Sequence, residues 1–277
     1  MNDTPLVSII LPSFNQGRFI KKTLESILNQ TYLRIEVIVM DGGSTDGTIG
    51  ILKEYGSKIN WISEPDKGEY FAINKGILRA KGKYIKYSPT DDLIAPQSVA
   101  LSVNYMEVHP EVAMVYGQFA YIDEEDKILE FSTQSFPFSL EAYLRGCFCH
   151  GSMTMMVRRE VLNEIGLFNT DFSYTGDFEL IARLSSQGFT IVYLPYILGG
   201  FRRYSQHQSA RLRKIIHREA LRIVLMYGSR EDWCFKFASY LKMDIRTHLG
   251  KIKWATLRLF GKTRDSGKSL IFFHDLY

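Results

Sequence analysis

The chain has 277 residues, 45% hydrophobic and 23% charged, an ordinary globular composition that suits one large domain or one domain with a smaller appendage. Its formal net charge of +4 is unevenly divided: residues 210–277 hold 15 Lys and Arg against 6 Asp and Glu, and the residues before them 19 against 24. An acidic body with a basic tail implies an anionic partner for the tail, a membrane surface or a nucleic acid. The three cysteines (Cys147, Cys149 and Cys234) lack the spacing of a disulfide scaffold or a zinc site, which fits a reduced, cytosolic setting.

The first apolar run, residues 6–11, reads as a buried strand stopped by Pro12, which also argues against a signal peptide. Ile20, Leu24, Ile27 and Leu28 fall at helical spacing within 19–30. A second strand covers 35–40, and Gly42-Gly43-Ser44-Thr45-Asp46-Gly47 leads from it into a helix ending at Tyr55. A strand at 59–63, a helix at 69–79 and a strand at 83–87 follow. Strands alternating with helices at this rhythm predict βαβ units and a mainly parallel, open α/β sheet. Beyond Asp92 the pattern predicts helices at 98–108, 159–165 and 177–187. Strands are predicted at 112–116, 119–122, 152–157 and 190–194, the last closing the sheet. After Ser209 the chain reads as helices punctuated by Gly228, Gly250 and Gly261. No 18 uncharged apolar residues run together, so no membrane-spanning helix is expected.

Ligands of open α/β sheets bind at the carboxyl ends of the strands. Three such ends carry polar groups here: Pro12-Ser13-Phe14-Asn15, Asp41-Gly42-Gly43-Ser44-Thr45-Asp46 and Thr90-Asp91-Asp92. An Asp pair after a strand can hold a divalent cation, and through it a diphosphate; it is equally a solvated turn or cap. Asp41-Gly42-Gly43 reads either as a tight turn or as a carboxylate that accepts from a base edge, with small residues letting the ring approach. The Gly-rich turn lacks the spacing of a dinucleotide-binding fingerprint and follows the second strand rather than the first.

Taken in order, these motifs resemble the family 2 glycosyltransferases. The matching segments are Leu6 through Asn15, Ile35 through Thr48, Glu64-Pro65-Asp66-Lys67-Gly68, Asn74-Lys75-Gly76 and Thr90-Asp91-Asp92. The likeness continues through His150, Arg158-Arg159-Glu160, Gly166-Leu167-Phe168, Gly176-Asp177-Phe178-Glu179-Leu180 and Phe201-Arg202-Arg203, ending near Ser209. It implies the GT-A fold over residues 1–209, with a nucleotide-binding half at 1–95 and an acceptor-facing half at 96–209. Residues 210–277 would then be a basic helical C-terminal appendage. The implied reaction is transfer of a sugar from a nucleotide-diphosphate donor, UDP-linked by preference, to a saccharide or lipid-linked hydroxyl with inversion. Such a reaction belongs to surface polysaccharide or glycolipid synthesis.

By the same resemblance Pro12, Ser13 and Asn15 line the base and ribose, Asp41 contacts the base, and Asp91 faces the ribose or sugar. Asp92 is the direct ligand for Mg2+ or Mn2+, and His207 is a second candidate ligand. Asp177 matches the general base, which an acceptor hydroxyl requires because its own pKa lies far above neutrality. Read alone, Asp177 is equally an acid favoured at a helix N-terminus. Glu179 lies about 200° around the helix from it, so the two carboxylates do not share one task. Lys67, Arg202, Arg203 and His207 are candidates for the diphosphate, and His150 for the acceptor pocket; each is also readable as a surface or core residue. The chain departs from the family pattern at Pro89, where an acidic or amide residue is usual, and at Phe71.

Two other classes stand beside this one: a binding or scaffold protein that kept the fold without turnover, and a nucleotidyltransferase. Retention of Asp92 and Asp177 speaks against the first, and Pro12-Ser13-Phe14-Asn15-Gln16-Gly17 is unlike the basic Gly-rich loop of the second. In the tail, Trp233, Phe235, Phe237, Trp254 and Phe260 interleave with Lys and Arg, as in a helix lying on an anionic membrane surface. Packing of those apolar residues onto the body is the alternative. Nucleic acid is not expected as a partner, since no recognised motif accompanies the charge. The setting implied is cytoplasmic, or peripheral on the inner face of the cell membrane.

Overall fold

The computed structural model describes residues 4–132, 137–146, 150–204 and 212–233. In chain order the elements begin with β1 (Val7–Ser13), α1 (Ile20–Leu28), β2 (Ile35–Asp41), α2 (Thr48–Glu54), β3 (Asn60–Ser63), α3 (Glu69–Arg79) and β4 (Tyr84–Tyr87). They continue with β5 (Leu93–Ile94), α4 (Ser98–Val108), β6 (Val112–Ile122), β7 (Ile128–Phe131), α5 (Leu140–Leu144) and β8 (Met156–Arg158). The last are α6 (Arg159–Ile165), α7 (Gly176–Ser186), β9 (Thr190–Arg202) and α8 (Arg213–Tyr227).

The strands form one sheet in the order β3-β2-β1-β4-β8-β6-β9-β5, with β7 added to β6. The long pairings are parallel: β1 runs along β2 from Val7↔Ile35 to Ser13↔Asp41, and β6 along β9 from Val112↔Thr190 to Ile122↔Arg202. Short antiparallel contacts of β8 with β4 and β6 join the two halves. Both faces are covered, which is why the strands read as continuous apolar runs. Val7, Ile9 and Leu11 face one core with Val37 and Val39, beneath α1 and α4. Ile10, Ile38 and Met40 face the other, beneath α3 and α7. Ala220, Ile223 and Val224 of α8 belong to that second core.

Some expectations need correction. The two strands predicted at 112–116 and 119–122 are one strand, bent by register shifts at Gly117/Gln118 and Gln118/Phe119 rather than broken. Residues 152–154 are a 3-10 turn ahead of the short β8, not strand. The strand predicted at 190–194 runs on to Arg202 and does not close the sheet, because β5 lies outside it. With two residues, β5 is too short to show any period, and the wholly exposed β7 has no buried face to betray it.

Two contacts fix where the helices bring their ends. A Cβ on Gly76 would lie 2.4 Å from Ile10 Cγ2, so glycine lets α3 press onto β1 and sets its N-terminus at the strands' carboxyl edge. Asn74 then ties α3 to the segment before α7: its amide donates to the Phe168 carbonyl at 2.8 Å, and the Phe168 amide donates back at 3.0 Å. Among the described residues no helix is long and apolar enough to cross a membrane.

Candidate active site

At the ends of β1 and β2 the loops are zipped together by short polar side chains. Asn15 takes a left-handed backbone (φ 52°), its amide donating to Ser44 Oγ at 2.7 Å and its Oδ1 accepting from the Thr45 amide at 2.9 Å. Gly17 donates its amide to Asp46 at 2.9 Å and Gln16 to the Thr48 hydroxyl at 3.1 Å. Asp41 is buried, and its Oδ2 accepts from the amides of Gly43 and Ser44 and from the Ser63 hydroxyl at 3.0, 2.8 and 2.7 Å. Its Oδ1 accepts from the Ser44 hydroxyl at 2.5 Å. Each carboxylate oxygen has about two lone-pair sites, so Oδ1, with its one bond, keeps an acceptor site while Oδ2 is fully used.

Beside it lie Phe14 and Asp66, to which the motifs assign no role, together with Ser13 and Lys67, to which they do. Phe14 is 58% exposed, and it flanks Gly42 together with the Asp66 carboxylate. Ser13 Oγ is buried and lacks a hydrogen-bond partner. Lys67 is exposed, with its ammonium 5.9 Å from the centre of the Phe71 ring.

The acidic strand end is anchored from behind. Thr90 donates its hydroxyl to the Pro12 carbonyl at 3.1 Å. The buried Thr23 hydroxyl lies 2.9 and 2.8 Å from the carbonyls of Thr90 and Asp92. Asp91 accepts from the Tyr204 hydroxyl at 2.9 Å. Asp92, 1% exposed, accepts from the Arg202 amide at 2.9 Å. Burial, and after it the charge of Asp91, push the Asp92 carboxyl well above the usual range.

Arg202 is fully buried and taken up by the fold. It donates to the carbonyls of Asp91 and Asp123 at 2.7 and 2.6 Å, pairs with Asp126 at 2.5 Å and covers the Phe19 ring. Arg203 pairs with Glu130 at 2.6 Å, over the ring of Tyr121. The two arginines expected at the diphosphate are thus engaged with the protein, Arg202 holding the Asp91-Asp92 backbone in place. His207 lies outside the described residues.

Asp177 stands in the first turn of α7. Its Oδ2 accepts from Ser152 Oγ at 3.0 Å and lies 3.6 Å from His150 Nε2. Its Oδ1 accepts from the Phe178 amide at 2.8 Å and from the Tyr70 hydroxyl at 3.4 Å. The other ring nitrogen of His150 meets the Tyr143 hydroxyl at 3.3 Å. Burial raises the Asp177 carboxyl, but the hydrogen bond and charge of His150, with the bonds from Phe178 and Ser152, outweigh it and hold it below the usual range. Glu69, at the start of α3, lies within the field of both Asp177 and Asp91. Its side chain is open to solvent, yet the surrounding protein and then the charges of Asp177 and Asp91 push its carboxyl up to about 8. Glu179 points away, pairing with Arg183 at 3.0 Å and accepting from the Tyr227 hydroxyl at 2.6 Å, as its helical azimuth predicts.

The family model described as glycosyl transferase family 2 matches residues 8–166. The chain belongs to that family. A second model, glycosyl transferase family group 2, matches residues 90–259. Chondroitin synthase of Escherichia coli is 32% identical over 187 residues, 66% of this chain and 27% of that protein. The chain spans only part of the length of the curated relatives it matches, 58% of an uncharacterized glycosyltransferase of Rickettsia prowazekii and 19% of the hyaluronan synthase of Pasteurella multocida. Residues 1–349 of S. aureus TarS, solved in complex with UDP-GlcNAc, superpose with a TM-score of 0.68 at 16% identity, over 89% of this chain and 76% of that one. The mannosyltransferase PcManGT of Pyrobaculum calidifontis, in complex with GDP-Man and Mn2+, gives 0.58 at 18% identity, over 90% and 82%. The fold is therefore the GT-A α/β fold expected from the motifs, with a mixed, mostly parallel open sheet.

Proposed function

We propose that this family 2 glycosyltransferase moves a sugar from a UDP-linked donor to a hydroxyl of a saccharide or lipid-linked acceptor, with inversion. The observation that carries the reading is the Asp177 carboxylate. It is kept ionised by His150, Ser152 and the Phe178 amide, in the first turn of α7. In the reaction the acceptor oxygen attacks the anomeric carbon and Asp177 takes its proton. The bond from that carbon to the diphosphate breaks, and its electron pair leaves with the diphosphate. The base and ribose lie along Pro12, Ser13 and Asn15, where the buried Ser13 Oγ makes no hydrogen bond among the described residues. Asp41 accepts from the base in this proposal, and Phe14 and Asp66, which flank Gly42, are further candidates there.

Asp92 and Asp91 suit Mg2+ or Mn2+. No group of three metal-ligating side chains occurs among the described residues, but Mg2+ is ordinarily held by one or two carboxylates, water and substrate phosphates. When bound, the cation would neutralise the charge of the departing diphosphate. Lys67 is exposed and is the candidate for the diphosphate, and His207 remains a candidate ligand. Residues 1–209 form the catalytic domain in this proposal. Residues 210–277 form the basic region, of which α8 packs into the second core and the rest is, in this proposal, aimed at an anionic membrane surface; its aromatic stretch beyond Trp233 lies outside the described residues.

A panel of nucleotide sugars, screened for thermal stabilisation and slow hydrolysis with and without Mn2+, tests the reading. One donor should both stabilise the protein and be hydrolysed when Mn2+ is present, and Asp92→Asn should abolish the Mn2+-dependent binding. Binding with no turnover toward any acceptor would favour the inactive scaffold, and binding of no donor would remove the transferase reading.

A further inference from the structure

Glu219 of α8 is 7% exposed, and its carboxylate is committed to the segment that enters α7. One oxygen accepts from the Ser173 amide at 2.8 Å, the other from the Tyr174 amide and the Thr175 hydroxyl, both at 3.0 Å. Thr175 occupies the N-cap position of α7, where a threonine hydroxyl ordinarily accepts from an amide of the first turn. Here that bond is not made, and the hydroxyl donates to another helix. The first-turn amides are served by other groups: Asp177 donates to the Tyr70 hydroxyl at 3.3 Å, and Phe178 to Asp177 itself.

The start of α7 thus has no side-chain cap of its own to fix its direction. Its restraint comes from α8, which is rooted in the core by Ala220, Ile223 and Val224. Arg222 adds a second hold, donating to the Asp171 carbonyl at 3.3 Å and covering the Phe172 ring at 4.8 Å.

We propose that Glu219 is a positioning residue for the transfer reaction: from the helix beyond the sheet it locks residues 173–175, and so aims the Asp177 carboxylate at the donor edge. The inference rests on the reading of Asp177 as the base. Removing the Glu219 carboxylate would leave two backbone amides and a hydroxyl without their acceptor, which favours an open, hydrated segment over the present one.

The test compares full-length Glu219→Ala, Glu219→Gln and Thr175→Val with wild type, by amide hydrogen exchange, by titration of UDP with Mn2+, and by turnover. In Glu219→Ala the amides of residues 173–178 should exchange faster while those of β1 and β2 do not. Affinity for UDP should hold while kcat falls roughly 10–100-fold, the scale expected when a reacting group is misplaced by about an ångström. Glu219→Gln should recover part of the loss, because its carbonyl still accepts one amide. Thr175→Val, which keeps both amide bonds, should show a milder form of the same pattern. Unchanged exchange at 173–178, or faster exchange with undiminished kcat, would overturn the proposal. So would equal losses of UDP affinity and kcat. Should Asp177→Asn retain full turnover, the base reading would fall, and the exchange pattern would still decide whether Glu219 holds the segment.

Discussion

At the donor edge each loop is tied to its neighbours in the parallel sheet: Asn15 to Ser44 and Thr45, Asp41 to its own turn and Ser63, Thr90 to Pro12. The start of α7 is held by remote segments instead. Tyr70 comes from α3, Ser152 and His150 from the turn before β8, and Glu219 from α8. A parallel sheet that aligns strand ends delivers the first arrangement almost automatically. The second depends on the packing of helices that are far apart in the chain. Loosening one strand loop should therefore weaken donor binding locally, while loosening any support of Asp177 should alter turnover without altering the donor.

The largest effect expected on the base side comes from Asp177→Asn. Donor affinity, followed by titration calorimetry, should stay near wild type while turnover falls by roughly 10²–10⁴, the scale of general-base catalysis. Equal losses in both would move Asp177 to the binding side of the comparison. On the donor side, Thr23→Val removes the hydroxyl that faces the carbonyls of Thr90 and Asp92 and leaves both buried acceptors without it. That change should cost about 1–3 kcal/mol in urea unfolding, the penalty for an unsatisfied buried polar group. It should weaken Mn2+-dependent UDP binding more than kcat; a pure kcat effect would break the proposed division.

The smallest and sharpest effect concerns pH. A carboxyl held low in the fold adds stability above its ordinary pKa and loses that contribution as pH falls through its folded value. Asp177 is such a carboxyl, with His150 the strongest of its lowering influences. The groups facing it are His150, Ser152, Tyr70, Tyr87 and Glu69. In His150→Gln the acid limb of kcat should therefore move to higher pH, while its plateau and the donor affinity change little. A limb that stays put would show that Ser152 and the Phe178 amide suffice.

Glu219 and Arg202 mark where reading the sequence stopped. The order of β1, α1, β2 and α2, the extent of α3, α4 and α6, and the clustering of Ser13, Asn15, Asp41, Asp91 and Asp92 at one edge follow from local period and turn chemistry. Strand period, helix period and Gly or Asp turns are properties of neighbouring residues, and a parallel sheet then aligns the strand ends. Nothing local distinguishes an arginine that contacts a ligand from one that stitches carbonyls, so only packing revealed that Arg202 is buried against Asp91, Asp123 and Asp126. Nor could any period show that Tyr70, Ser152 and Glu219 converge on the α7 start, because those contacts join segments far apart in the chain. The chain's own pattern determined the parallel strands β1, β2, β3 and β4 and the residues along their carboxyl edge. The tertiary structure decided which partners each carboxylate meets, since a hydrogen bond is a property of two partners and sequence names only one of them.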